Sequence, residues 1–513
     1  MADGYARASG RVGVAIATSG PGATNLTTGI ANAMLDSIPT VFITGQVGSK
    51  LVGSDAFQET DVTGITLPIT KHNWLVTDVA AIARTIREAF VIAQSGRPGP
   101  VLIDICKDAQ QARTEFAWPA AVDLPGLPQV PEPDAADLAR AAELIRQAKR
   151  PLILAGAGVI KSGATQLLQQ FVDRTGIPVA LTLLGIGGFP QSHPLCLGMM
   201  GMHGEAFVNT AIQSADLLLA FGMRFDDRVT GNLKSYAPHA RKIHVEIDPS
   251  EVGKNVAVDV AILSDLRVAL AALLPSVEAM DNGEWVRQID VWRQDTRSRD
   301  ILHQPHGGKL LAPHVMADVW KTTAGGALVC TDVGQHQMWE AQYYKHDSPR
   351  TLITSGGLGT MGFALPAAIG AKLARPEAEV WVIAGDGGFQ MTQCELATLQ
   401  QEKLDVKIAV INNGYLGMVR QWQEFFYDKR YAATPMLNPD FVKLAGAYGI
   451  PACRVRRRAD VIPAVEQARL SPGPVLVEFV VEKEDSVYPM VPAGSDLHAM
   501  IRRPSESTQE VSR

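Results

Sequence analysis

A chain of 513 residues is too long for one ordinary core, and about three domains is the natural expectation. Hydrophobic residues at 46% and charged residues at 19% give an ordinary globular balance, while a formal charge of −6 without a long basic run excludes a general nucleic-acid binder. No apolar stretch of about 18 residues is free of charges and turn residues, which argues against a membrane span.

The five cysteines, Cys106, Cys196, Cys330, Cys394 and Cys453, show no metal-ligand spacing and read as reduced thiols. The N-terminus carries no signal or transit pattern. Together these features point to a cytoplasmic protein.

In chain order, residues 1–10 read as the end of a helix stopped by Gly10, and 12–17 as a buried strand. A domain rarely opens in mid-helix without a cap. The glycine-rich run from Ser19 to Asn25 lacks the lysine and spacing of a P-loop, so it reads as a tight strand-to-helix turn at a ligand edge. Strands at 41–44 and 101–105, with helices between, complete a first α/β domain. Pro119, Pro125, Pro128, Pro131 and Pro133 then mark a linker.

A second α/β domain opens with an amphipathic helix at 134–149, a strand at 152–155 and Gly156-Ala157-Gly158, a weak echo of a dinucleotide turn. Its strands 217–221 and 243–247 end at Gly222 and Asp248. A second linker is expected at Asn282-Gly283, a polar helix and His306-Gly307-Gly308. The third α/β domain covers 310–480, and the tail after Ile501 reads as polar and loose.

The densest signal lies in the third domain. An apolar run at 380–384 ends in Gly385-Asp386-Gly387-Gly388, a helix is expected from Met391 to about Gln401, and a β-branched run at 406–411 ends in Asn412-Asn413-Gly414. Such a β-α-β unit makes its strands parallel, so Asp386 and Asn413 leave the same sheet edge, where ligands of open α/β sheets bind. One carboxylate and one amide oxygen suit a hard cation that also holds phosphate oxygens. The glycines let backbone N–H groups approach a diphosphate.

This pattern resembles the thiamine diphosphate and Mg²⁺ motif of thiamine-dependent enzymes. Three further runs narrow it: Asp332 to Trp339, Gly356 to Phe363, and Met223 to Gly231. With Gln421-Trp422-Gln423, Thr18 to Asn25, Ser54 to Glu59 and Val487 to Pro492, they closely resemble the catalytic subunits of the acetohydroxyacid (acetolactate) synthase family. The resemblance covers essentially the whole chain. It implies three doubly wound parallel-sheet domains: pyrimidine-binding (1–115), FAD-binding (134–275) and diphosphate-binding (309–485), followed by a tail (486–513). It also implies a homodimer or dimer of dimers, a small regulatory subunit, and decarboxylation of pyruvate with transfer of the two-carbon unit to pyruvate or 2-oxobutyrate.

By the same resemblance Asp386, Asn413 and the Tyr415 carbonyl would bind Mg²⁺, and Gln335, His336, Gly387 and Gly388 the diphosphate. Met361 would wedge the cofactor into its bent form, and the Gly359 carbonyl would orient its amine. Arg97, Met202, His203, Gly222, Arg224, Asp226, Glu246, Ile247 and Asp265 match FAD-contacting positions. Arg228 would hold the second substrate's carboxylate. Trp422 would be a flat apolar wall favouring the extra methyl of 2-oxobutyrate. Gln58, Phe57 and Lys107 would reach the site from the partner chain.

Three departures stand out. Cys106 replaces a usual Pro, and Ala364 replaces a usual Gly. The family's activating Glu, just upstream of the stretch matching Met1 to Gly4, has no counterpart. This predicts impaired activation and suggests a start placed at an internal Met. Other readings are a glyoxylate carboligase-like enzyme, an FAD-free catabolic acetolactate synthase, and a non-catalytic partner of a full-length subunit.

Overall fold

The computed structural model describes residues 1–127, 129–305 and 307–504. Pro128 of the first expected linker, His306 of the second, and tail residues 505–513 lie outside the described residues.

Three all-parallel sheets organise the chain. The first comprises β1 (Gly13–Ala17), β2 (Thr40–Gln46), β3 (His72–Val76) and β4 (Pro100–Cys106), in the order β1-β2-β4-β3. The second holds β5 (Pro151–Ala155), β6 (Val179–Leu181), β7 (Cys196–Met199), β8 (Leu217–Phe221), β9 (Arg241–Glu246) and β10 (Val260–Leu263), in the order β10-β9-β8-β5-β6-β7. The third holds β11 (Leu328–Thr331), β12 (Leu352–Thr354), β13 (Val380–Gly385), β14 (Val406–Asn412), β15 (Ala452–Val455) and β16 (Val475–Val480), in the order β12-β11-β13-β14-β16-β15.

The central strands read as unbroken apolar runs because helices cover both faces. Every residue of β5, β8 and β13 is buried. Separate cores lie on the two faces of the second sheet, and likewise of the third.

Strand order fixes where ligands can enter. In the second sheet the chain winds from β5 out through β6 and β7, then restarts beside β5 at β8. In the third, β11 leads to β12 on one side, and β13 starts on the other. The crevices beyond β5/β8 and β11/β13 are therefore topological switch points, where open α/β sheets bind ligands.

Three expectations need correction. The strand expected to be buried at 12–17 is an edge strand, with Val14 44% and Ile16 75% exposed. The helix after the Gly-Asp-Gly-Gly turn starts at Asp386 itself, and a 3-10 turn at Gln393–Glu395 divides Asp386–Thr392 from Leu396–Gln401. The buried Phe389, Leu396 and Leu399 keep a helical spacing of seven and three residues across that break, so the sequence does not mark it. The polar helix assigned to the second linker, Gly283–Ser298, buries Trp285 and Ile289 in the core of the second sheet. Val487, Met490, Val491 and Leu497 are buried, so the segment before Ile501 is docked.

Candidate active site

The crevice at β11/β13 is built from two turns. After β11, Asp332 accepts hydrogen bonds from the backbone N–H groups of Val333 (2.9 Å), Gly362 (2.9 Å) and Ala364 (3.2 Å). The helix Gln335–Tyr343 then starts on Gly334. After β13, the helix Asp386–Thr392 starts on Gly385. Two helix N-termini thus face one cleft, which suits an anion.

The glycines are sterically required. A Cβ on Gly387 would lie 2.7 Å from Leu416 Cδ2, and one on Gly388 would strike the Asp332 carboxylate. Gln335, His336, Met361, Asp386, Gly387, Gly388, Asn413 and Tyr415 all line this cleft.

Asp386 is 1% exposed, and its Oδ2 accepts from Gly414 N–H (3.0 Å) and Asn438 Nδ2 (2.6 Å). Burial pushes its pKa up to about 6. Asn413 Oδ1 accepts from Tyr415 N–H at 3.0 Å, and its Nδ2 lies 3.4 Å from Gln335 Oε1. Among the described residues no three His, Cys, Asp or Glu side chains gather to hold a metal ion. A site with one carboxylate, one amide and a main-chain carbonyl instead fits a cation that takes its remaining oxygens from phosphate and water. His336 Nε2 is buried without a hydrogen-bond partner. That unsatisfied nitrogen fits a phosphate oxygen in the cleft.

The second crevice opens into a cavity of about 870 Å³. It is lined by Arg97, Met202, His203, Gly222, Arg224, Asp226, Arg228, Glu246, Ile247, Asp265, Gly359, Met361 and Trp422. Gly158 and Gly222 meet there, since a Cβ on Gly158 would lie 2.5 Å from Gly222 Cα. The Gly156-Ala157-Gly158 run is therefore needed for backbone contact between the ends of β5 and β8. Asp226 and Asp265 also cap the short helices that follow them. Met361 lines both the cavity and the cleft, as do Val333, Gly334, Met418 and Val419, so the two spaces share a wall.

Gln58, Phe57 and Lys107 line neither space. Gln58 takes a left-handed φ of 61° in a loop pressed on Gly20, Phe57 is 88% exposed, and Lys107 follows β4 directly. All three lie at the carboxyl edge of the first sheet, away from this chain's cavity. Asn438 and the buried Gln421 had not been picked out singly from the sequence. Asn438 orients Asp386, and Gln421 joins Gln335 Nε2 (2.9 Å) to the Val487 N–H (2.7 Å). Only the Gln-Trp-Gln run hinted at Gln421, and nothing local marks Asn438.

Burial pushes His203 and His336 each down to about 4, partly offset for His203 by the Pro489 carbonyl that faces its Nδ1 at 3.2 Å. An unfolded histidine titrates near about 6.5, so between about 4 and 6.5 the unfolded chain binds more protons. Their stabilising contribution is complete above that window and is lost as pH falls through it. Replacing both by Gln should flatten the fall in melting temperature of the cofactor-free protein between about pH 7 and pH 5. An equally steep fall would assign the acid sensitivity elsewhere.

Comparison with known proteins agrees with this geometry. Residues 1–65, 138–273 and 332–479 match the N-terminal TPP binding, central, and C-terminal TPP binding domains of thiamine pyrophosphate enzymes. The chain is 50% identical to the acetolactate synthase large subunit of Corynebacterium glutamicum, over 96% of this chain and 80% of that protein. It is 49% identical to the acetolactate synthase of Mycobacterium leprae, over 96% and 81%. It is also 45% identical to the chloroplastic acetolactate synthase 1 of Oryza sativa subsp. japonica, over 98% and 79%. The chain belongs to the acetolactate synthase family of thiamine pyrophosphate enzymes.

Proposed function

We propose that this chain decarboxylates pyruvate and joins the two-carbon unit to a second pyruvate or to 2-oxobutyrate. The observation that carries the reading is the wall of Val333, Gly334, Met361, Met418 and Val419 shared by a phosphate-suited cleft and a large cavity bearing Arg228 and Trp422. Thiamine diphosphate, when bound, supplies the electron sink that lets the carbon–carboxylate bond break.

The chain's residues do the rest. Gln335, His336, Gly387 and Gly388 hold the diphosphate. Asp386, Asn413 and the Tyr415 carbonyl hold Mg²⁺. Met361 would support the cofactor, and the Gly359 carbonyl would accept from its amine. The central cavity takes FAD along Arg97, Met202, His203, Gly222, Arg224, Asp226, Glu246, Ile247 and Asp265. On this reading residues 1–115 bind the pyrimidine, 134–275 FAD and 309–485 the diphosphate. Gln58, Phe57 and Lys107, displaced from this chain's cavity, complete a partner's site in a homodimer or dimer of dimers. Arg228 anchors a substrate carboxylate. A small regulatory subunit and a cytoplasmic setting belong to the same reading, and no helix among the described residues is long and apolar enough to cross a membrane.

The test is product formation by the purified chain with thiamine diphosphate, Mg²⁺ and FAD. Acetolactate from pyruvate, on a yellow protein, is the expected result. Carboligation of glyoxylate with no acetolactate would overturn the reading, and a colourless active protein would remove FAD from it.

Trp422 sets the acceptor preference. It lines the cavity and tilts against Phe426 with ring centroids 5.2 Å apart. Trp422→Leu should lower discrimination for 2-oxobutyrate over pyruvate by about 1–3 kcal/mol, the worth of a methylene contact, while acetolactate synthesis stays measurable. An unchanged product ratio in competition would place the selectivity elsewhere.

A further inference from the structure

The loop from Ser355 to Met361 carries both Gly359 and Met361, yet few of its bonds come from the third sheet. Most of its anchors lie in the first domain, at the end of the helix Thr27–Leu35. Asp36, 2% exposed, accepts from the Gly357 N–H at Oδ1 (2.7 Å) and from the Gly356 N–H at Oδ2 (3.1 Å). One turn earlier, Asn32 Oδ1 accepts from Ser355 Oγ (2.6 Å) and Thr360 Oγ1 (3.1 Å). Ser355 Oγ in turn accepts from the Thr360 N–H at 2.9 Å. A Cβ on Gly357 would lie 2.8 Å from Asp36 Oδ1 and 3.0 Å from Leu35 Cβ, so the loop backbone is pressed onto the helix end.

The clamp is itself braced from three sides. Arg7 Nη2 donates to Asp36 Oδ2 at 2.8 Å, its Nη1 donates to the Thr354 carbonyl at 2.8 Å, and its guanidinium lies 5.2 Å from the Phe363 ring centroid. Asp3 pairs with Arg7 and accepts from Asn32 Nδ2 at 3.0 Å. Lys161, from the second domain, donates to the Asp36 main-chain carbonyl. All three domains meet at one residue.

We propose that Asp36, assisted by Asn32, is a positioning residue that fixes the 355–361 loop and so sets where the Gly359 carbonyl and Met361 stand toward the cofactor's aminopyrimidine. This rests on the thiamine diphosphate reading above. A charged acceptor for two successive N–H groups holds a backbone more firmly than water does. Small misplacement of an orienting group lowers the rate far more than the affinity. The first domain thus shapes the diphosphate half of its own chain's site, in addition to any contribution to a partner.

Two measurements on the full chain test this. Amide hydrogen exchange, with and without cofactor, reads the loop directly. Exchange of the bound cofactor's C2 proton with deuterium, followed by NMR, reads its activation without turnover. Asp36→Asn keeps the shape and removes the charge. It should speed exchange at Gly356, Gly357 and Thr360 even without cofactor, and slow C2 exchange by about 10–100-fold, while thiamine diphosphate affinity changes by only a few-fold. Ser355→Ala breaks the clamp from the loop side without touching Arg7, and decides the matter if Asp36→Asn does not fold. A double-mutant cycle of Asn32→Ala with Ser355→Ala should be non-additive in C2 exchange. Unchanged loop exchange and C2 exchange in the folded variant would overturn the proposal. Failure of the unsubstituted chain to bind thiamine diphosphate would overturn the function reading instead, and loop exchange without cofactor separates the two.

Discussion

Asp386→Ala abolishes retention of thiamine diphosphate: this is the largest single effect expected from the site. The carboxylate stands at the end of β13 on the first residue of its helix, 1% exposed. Two donors hold it, Gly414 N–H and Asn438 Nδ2, and burial still raises its pKa to about 6. A carboxylate so desolvated is costly unless a cation balances it. A Mg²⁺ ion held there with the diphosphate would do so, and cofactor and metal would then bind as one unit. Even groups that only orient metal ligands cost about 10–100-fold when removed. Loss of the ligand itself should weaken cofactor binding by more than about 100-fold.

The isosteric Asp386→Asn separates binding from folding. It relieves the buried charge, so the cofactor-free variant should melt no lower than the unsubstituted protein, while thiamine diphosphate with Mg²⁺ no longer raises its melting temperature. Titration calorimetry of the Ala variant, and chelation of the unsubstituted protein, should agree. Retention unchanged in Asp386→Ala would remove this residue from the metal site.

Much of this site was legible in the sequence because its signals are local. An apolar run ending in Gly-Asp-Gly-Gly needs no tertiary knowledge to be placed at a strand end, and β13 and β14 are adjacent and parallel as the β-α-β pattern requires. The glycine runs were equally plain, since only a residue without Cβ fits beside Asp332 or Gly222. What escaped is non-local. Asn438 reaches Asp386 from 52 residues away, and Asp36 reaches Gly357 from 321. No period or cap connects such positions. The exposed β1 and the buried face of Gly283–Ser298 were misread for the opposite reason. Local composition suggested burial or solvation that sheet order and docking then reversed. Gln58 and Lys107 sit outside this chain's cavity altogether, and only an assembly expectation gives them a role.

The second large effect concerns Arg228, whose replacement by Ala should cut kcat/KM for pyruvate while leaving the cofactor bound. Its backbone is fixed: the carbonyl accepts from Met202 N–H at 2.8 Å, and Asp226 caps its N–H at 3.1 Å. Its side chain is not consumed. The nearest carboxylate, Asp227, stands 3.8 Å away, 79% exposed, and Nη1 otherwise lies 3.7 Å from Met202 Sδ. A rigid stem with an unspent guanidinium at a cavity wall is what anchoring a carboxylate requires. A hydrogen bond to a charged group is worth about 1.5–3 kcal/mol, or roughly 10–150-fold in kcat/KM. Arg228→Lys should restore only part of it, because an ammonium cannot reproduce the two-pronged contact. Thiamine diphosphate affinity should be unchanged in both variants, which sets this loss apart from that of Asp386→Ala. If Arg228→Ala kept full kcat/KM, the substrate carboxylate would have to be held by another cation of the cavity wall, and Arg97, Lys161 and Arg224 line it too. Of these, Arg97 already bonds Ser37, Asp248 and Glu251, and Lys161 donates to the Asp36 main-chain carbonyl. That leaves Arg224 as the residue to replace next.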